Sequence, residues 1–158
     1  MAQEIERKFL VKGEFKSLAY KQSRIIQGYI CSAGGRTVRV RIADDKGFLT
    51  IKGPANEAGT VRYEWEQEIP SSDACALMKL CEGGMISKTR FYVRSGNHIV
   101  EVDEFDDANR GLILAEIELR HEHETFTKPD FIGEEVTGDM RYYNSQLMKH
   151  PYSAWPEE

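Results

Sequence analysis

The sequence has no apolar run approaching the ~20 residues that a membrane-spanning helix needs. It also lacks a secretory pattern at its start, where Glu4, Glu6 and Lys8 interrupt any apolar stretch. The expected compartment is therefore the cytoplasm. Cysteine is scarce: Cys31, Cys75 and Cys81 are odd in number and have no paired spacing. This argues against a disulfide framework and against a zinc site, and the three read as reduced and mostly packing residues. Positive charge is not in excess, since the net charge is −5 at pH 7. Non-specific binding to nucleic acid or to a membrane surface is disfavoured accordingly. Internal repeats, low-complexity tracts and linkers are missing too. The 158 residues are expected to form a single domain spanning 1–158, large enough to remove roughly two thirds of the unfolded surface from water.

What the chain does have is alternation. Apolar and polar residues trade places with period two over 3–11, 25–31, 36–43, 47–53, 61–69, 87–94, 98–105 and 112–120, the pattern of half-buried strands. Turn signals separate them: ADDKG at 43–47, PANEAG at 54–59 and RSGNH at 94–98. A helix is expected in PSSDACALMKLCEGG, with Ser71 or Ser72 as its N-cap and Gly83 just past its end. Shorter helices are expected within 13–23 and 142–150. Helical segments do not alternate with strands, so parallel βαβ winding is disfavoured. The expected fold class is α+β, mainly β: an eight-stranded antiparallel sheet closed into a barrel, with helices packed outside.

One face of nearly every expected strand is charged. Glu4, Glu6 and Lys8 share a face, as do Arg39 with Arg41, Glu64 with Glu66, Lys88 with Arg90, Glu101 with Asp103, and Glu116 with Glu118; Lys52 stands alone. For any one strand the ordinary reading is a solvated outer face. The set weakens that reading, because long charged residues are sorted by strand into cationic and anionic pairs while the opposite faces are apolar enough to need covering. Closing the sheet with its apolar side outward would turn the charges inward, the reverse of an ordinary small barrel. Burying a charge costs several kcal/mol unless it is paired, and ion pairs add little net stability, so stability alone does not explain the arrangement. A wet cavity for a ligand of both signs does. Arginine and lysine suit phosphate oxygens, and clustered carboxylates suit hard cations such as Mg²⁺ or Mn²⁺.

The opening EIERKFL resembles the ExExK signature of the CYTH superfamily, the triphosphate tunnel metalloenzymes. The likeness continues in order through QGYI (27–30), VRVR (38–41), LTIK (49–52), RYEWE (62–66), KTRF (88–91), VEVDEF (100–105), LAEIEL (114–119) and GEEVTGDMRYYN (133–144), and resembles the short bacterial members. It implies an eight-stranded tunnel that binds triphosphate with one or two Mg²⁺ or Mn²⁺ ions. By that resemblance Glu4, Glu6, Glu116 and Glu118 would be metal ligands, with Asp103 assisting. Lys8, Arg39, Arg41, Lys52, Lys88, Arg90 and Arg141 would hold phosphate oxygens. Met140 departs from the basic residue that similar proteins often carry before Arg141.

The expected reaction is hydrolysis of inorganic triphosphate to pyrophosphate and phosphate. Positioning and electrostatic stabilisation would supply most of the rate. Glu4, Glu6, Lys8, Lys88, Glu64, Glu66 and Tyr29 are the catalytic candidates. The group that activates water stays open among Glu64, Glu66 and a metal-bound hydroxide. Tyr29 reads either as a proton or hydrogen-bond donor or as a wall residue with its hydroxyl satisfied. Three other readings stand beside this one: a class IV-type adenylate cyclase, a thiamine or nucleoside triphosphatase, and a non-catalytic polyphosphate-binding module. Cyclisation would need a base and sugar pocket, which no residue cluster specifies. The RHEHE run at 120–124, Asp106, Asp107 and Asn109 read as loop and turn residues, as do Gly133 and Gly138. A homodimer is left open alongside helices as the cover for the apolar exterior.

Overall fold

The structure is a computed structural model that describes residues 3–156. Nine strands and two α-helices follow in the order β1 (Gln3–Val11), β2 (Lys21–Ala33), β3 (Arg36–Ala43), β4 (Lys46–Ala55), β5 (Val61–Ile69), α1 (Ser71–Met78), β6 (Glu82–Ser95), β7 (His98–Phe105), β8 (Ile113–Glu118), β9 (Ile132–Glu135) and α2 (Asn144–Lys149). The sheet runs β5-β4-β3-β2-β6-β7-β8-β1-β9, and an extra β5–β1 pairing closes it. Each pairing is antiparallel. The result is the expected eight-stranded barrel, with β9 laid beside the far end of β1, where Val11 pairs with Ile132. Among the described residues no helix is long and apolar enough to cross a membrane.

Four local expectations need correction. The helix expected within 13–23 is one 3₁₀ turn at Lys16–Leu18, because from Lys21 onward the backbone is taken by β6. The helix expected to reach Gly83 ends at Met78 and starts after Pro70 rather than after a serine cap. Gly83 already belongs to β6, with a φ of 74° that suits a glycine. Cys31 and Cys75 are exposed, so the packing role falls to Cys81 alone, and all three are free. Gly133 is a strand residue of β9 and not a turn glycine; its Cβ position lies against the Leu10 carbonyl.

The apolar faces do point outward over most of the barrel. Phe9, Phe91, Val100, Val102, Ala115 and Ile117 pack on the outside under Phe15, Phe131 and Ile132. On the opposite side α1 seats Ala74 and Met78 over Val40, flanked by Leu49 and Ile69. The inward faces, however, change character along their length. Lys8 gives way to Leu10, Lys88 to Ile86, Asp103 to Phe105 and Glu116 to Leu114. Ile86, Phe105 and Leu114 form a buried cluster with Leu147 of α2 and with Tyr142, and the half-buried Leu10 packs against it. One end of the barrel is therefore filled conventionally, and the charges occupy the rest.

The chain between β9 and α2 crosses the β4–β5 loop at Gly59 and Gly138, whose φ values are 74° and 81°. A Cβ on Gly59 would lie 2.3 Å from the Gly138 Cα. Gly59→Ala is expected to cost about 2 kcal/mol from left-handed strain and overpacking together. Thermal unfolding checks this, and an unchanged melting temperature contradicts it.

Candidate active site in the barrel interior

A cavity of about 190 Å³ occupies the charged part of the barrel. It gathers Glu4, Glu6, Lys8, Tyr29, Arg39, Arg41, Lys52, Glu64, Glu66, Lys88, Arg90, Glu101, Glu116 and Glu118. Register explains the sorting. Across β1 and β8, Glu6 faces Glu118 and Lys8 faces Glu116. Across β7 and β8, Glu101 faces Glu116. Like charges directly opposite one another destabilise a sheet, so this wall is acidic at a cost to the fold. The wall of β2, β3 and β6 is cationic, through Arg39, Arg41, Lys88 and Arg90.

Most of these cations are held by partners within the wall. Lys52 Nζ donates to Glu4 at 2.9 and 3.0 Å and lies 3.5 Å from Glu64. Lys8 Nζ lies 3.4 Å from Glu116 and donates to the Tyr142 carbonyl at 3.3 Å. Arg39 donates to Thr50 Oγ1 at 3.1 Å and to Glu66 at 3.4 Å, and Thr50 in turn donates to Glu66 at 2.7 Å. The Nε of Arg39 is buried without an acceptor. A buried donor left unmet is costly, and here it lies on a residue of the cavity wall, where an anionic oxygen would satisfy it. Arg41 Nε donates to Gln27 Oε1 at 2.9 Å, and Gln27 Nε2 donates to the Tyr29 hydroxyl at 3.0 Å. Tyr29 thus accepts from the wall and keeps its own proton to give.

Crowding of like charge shows in the acidities. Burial, with Arg39 and Arg90 adding to it, lowers the Arg41 guanidinium to about 9. Burial outweighs the pull of Asp103 and, helped by Arg90 and Arg41, lowers Lys88 to about 7. In the acidic wall, burial followed by Glu116 and Glu4 pushes Glu6 well above the usual carboxylate range. Burial and Glu4 raise Glu64 to about 7. Burial alone would raise Glu116, but Lys8 and Arg90 hold it well below the ordinary range. Each wall repels itself, the cationic one calling for an anion and the acidic one for a cation.

The donor set fits a hard divalent cation: Glu4, Glu6, Glu116 and Glu118 present carboxylate oxygens from adjacent strands, and a metal charge would relieve their mutual repulsion. Among the described residues no three acidic groups converge as a ready-made ligand set. Glu4 is drawn to Lys52 and Glu116 to Lys8, so binding requires those lysines to turn toward another anion.

Two expected site residues lie elsewhere. Asp103 is 3% exposed and does not line the cavity; it sits behind Lys88 and Arg90. Arg141 lies outside the cavity, on a 3₁₀ turn at Met140–Tyr142, bonded to Asp139 at 2.8 Å and set against the Trp155 ring. Conversely, Thr37, Arg62, Tyr143, Asn144 and Ser145 line the cavity and were not expected. Arg62 was legible: it lies two residues before Glu64 on the same strand face. Tyr143 and Asn144 arrive from a distant segment, and the only signal for them is the family-like run GEEVTGDMRYYN that they end.

The family model described as the CYTH domain matches residues 2–152. A protein of Acetivibrio thermocellus named inorganic triphosphatase is 48% identical over 159 residues, covering 99% of this chain and 100% of that protein. A Nitrosomonas europaea protein of the same name is 33% identical over 152 residues, covering 91% of this chain and 95% of that one. A crystal structure described as an inorganic triphosphatase superposes with a TM-score of 0.66 at 31% identity, over 94% of this chain and 95% of that one.

Proposed function

The chain belongs to the CYTH domain family, and from that premise we propose that it hydrolyses inorganic triphosphate to pyrophosphate and phosphate with the help of a divalent cation. The observation that carries this reading is one cavity with a self-repelling cationic wall opposite a self-repelling acidic wall. A metal–triphosphate complex relieves both at once.

In the reaction a water oxygen bonds to a terminal phosphorus, and the bond from that phosphorus to the bridging oxygen breaks. The leaving pyrophosphate takes the electron pair. The cationic side chains do most of the work, by holding the chain of phosphates in line and meeting charge as it shifts to the bridging oxygen. Arg39 offers its unmet Nε–H, and Arg41, Lys88 and Arg90 stand beside it. Lys8 and Lys52 are free to join once they exchange Glu116 and Glu4 for phosphate oxygens. Tyr29 donates its remaining proton to a phosphate oxygen. Glu64 and Glu66 line the wall, and either would take the proton from water. When bound, Mg²⁺ or Mn²⁺ supplies charge neutralisation at the phosphate oxygens, and Glu4, Glu6, Glu116 and Glu118 would hold it. The cytoplasm suits the free Cys31, Cys75 and Cys81 and is the compartment this reading assigns.

The test is to incubate the protein with triphosphate, ATP or thiamine triphosphate, each with Mg²⁺ or Mn²⁺ or with a chelator, and to separate phosphate, pyrophosphate and cyclic AMP. Triphosphate is expected to yield equal amounts of phosphate and pyrophosphate, and only with metal. Cyclic AMP as the main product overturns the proposal, as does tight triphosphate binding without turnover.

A further inference from the structure

Asp103 is the one acid among the family-implied metal ligands that the barrel withholds from the cavity. Both of its carboxylate oxygens are already engaged. Oδ1 accepts from Arg90 Nε at 2.8 Å, and Oδ2 accepts from Arg90 Nη2 at 2.9 Å. Oδ2 also lies 2.7 Å from Lys88 Nζ. The Arg90 contact is the bidentate fork in which a guanidinium is held flat against a carboxylate. Strand register makes it, since Arg90 and Asp103 are directly opposed across β6 and β7.

The same contacts fix what the two cations have left to offer. Lys88 is 1% exposed and has three N–H donors. Asp103 takes one and Asn144 Oδ1, at 2.8 Å, takes another. The third is left for the cavity, which Lys88 lines. Arg90 spends Nε and one Nη2 donor on Asp103 and an Nη1 donor on Glu101 at 3.3 Å, which leaves the remaining Nη donors free. A metal ion at Asp103 would have to displace two buried cations, which nothing in the cavity requires.

The geometry points to Asp103 as a positioning residue that aims Lys88 and Arg90 at the phosphates, and not as a metal ligand. This rests on the triphosphatase reading above and deepens it. Asp103→Asn replaces one acceptor by a donor facing the guanidinium, so the fork is lost while the volume is kept.

Mn²⁺ binding, followed by the spin-resonance signal of the free ion, and triphosphate kinetics at saturating Mn²⁺ test the assignment on the full chain. For Asp103→Asn the Mn²⁺ dissociation constant is expected to stay within about twofold, while Glu116→Gln weakens it by about tenfold or more. The KM for triphosphate in Asp103→Asn is expected to rise about tenfold or more. Weakened Mn²⁺ binding with an unchanged KM overturns the proposal. Should the single variant fail to fold, the double variant Lys88→Met/Asp103→Asn removes a buried cation and a buried anion together. Its Mn²⁺ dissociation constant is expected to stay within about twofold of that of Lys88→Met, and a weakening by about tenfold or more relative to Lys88→Met overturns the proposal. If the parent protein leaves triphosphate intact, the functional reading fails, and the Mn²⁺ measurement still decides the role of Asp103.

Discussion

Replacing Glu116 by glutamine is expected to lower triphosphate turnover by about a hundred- to a thousandfold and to raise the concentration of Mg²⁺ or Mn²⁺ needed for what remains. Glu116 is the hub of the acidic wall. It faces Lys8 on one neighbouring strand and Glu101 on the other, with the Glu6–Glu118 pair one step along. Glutamine keeps the shape and removes one full charge from the cluster that would hold the cation. Its effect on folding is smaller, because two terms oppose. Lys8, which is 5% exposed, loses its 3.4 Å partner, which destabilises. Glu6 is freed from its strongest like-charge neighbour, which stabilises. The melting temperature is expected to move by no more than about 5 °C. Steady-state kinetics across a metal titration, with a thermal melt beside it, check both parts. Activity within threefold of the parent at limiting metal would remove Glu116 from the site.

Lys88→Met carries the second large effect, a loss of about a thousandfold in kcat/KM. The lysine is buried at the base of the cationic wall, pinned by Asp103 and Asn144 with one N–H remaining for the cavity. Methionine fills most of its volume but offers no donor, and the neighbouring Arg90 is held in place by Asp103 and Glu101, so its free Nη donors keep their own position and do not move to that of the lost ammonium. Stability is expected to fall by about 2 kcal/mol at most, since Arg90 still holds Asp103 through two hydrogen bonds. Kinetics and denaturant unfolding on the same preparation separate the two effects. A variant that unfolds in parallel with its loss of activity would make Lys88 structural.

The period-two pattern was enough to place eight strands and to say which face of each was charged. It worked because the charged positions are long ionic residues and the opposite faces are nearly all apolar, so a one-residue error in register would have been conspicuous. At β5 the same rule puts Arg62 on the inward face beside Glu64 and Glu66. It could not find β9, four residues whose pairing with β1 is decided by contacts 120 residues away in the chain. Nor could it see that Leu10, Ile86, Phe105 and Leu114 close one end of the barrel, since the inward face simply changes from charged to apolar partway along each strand. Helix boundaries failed where a strand partner took the backbone first, at Lys21 and at Gly83. Within the site, Gln27, Thr50 and Asn144 did not stand out beforehand because neutral polar residues are common everywhere. Their weight comes from burial and from the Arg41, Arg39 and Lys88 groups they hold. Asp103 shows the opposite error: the strand pattern set it correctly on the inward face, and only the bidentate contact with Arg90 shows that it stops short of the cavity.

The most direct measurement is a crystal structure of the protein with Mn²⁺ and a non-hydrolysable imido analogue of triphosphate. The account predicts phosphate density inside the barrel against Arg39, Arg41, Lys88 and Arg90, with an anomalous Mn²⁺ peak on the side of Glu4, Glu6, Glu116 and Glu118. Phosphate and metal bound only on the outer surface, with the ion pairs of the interior undisturbed, would contradict it.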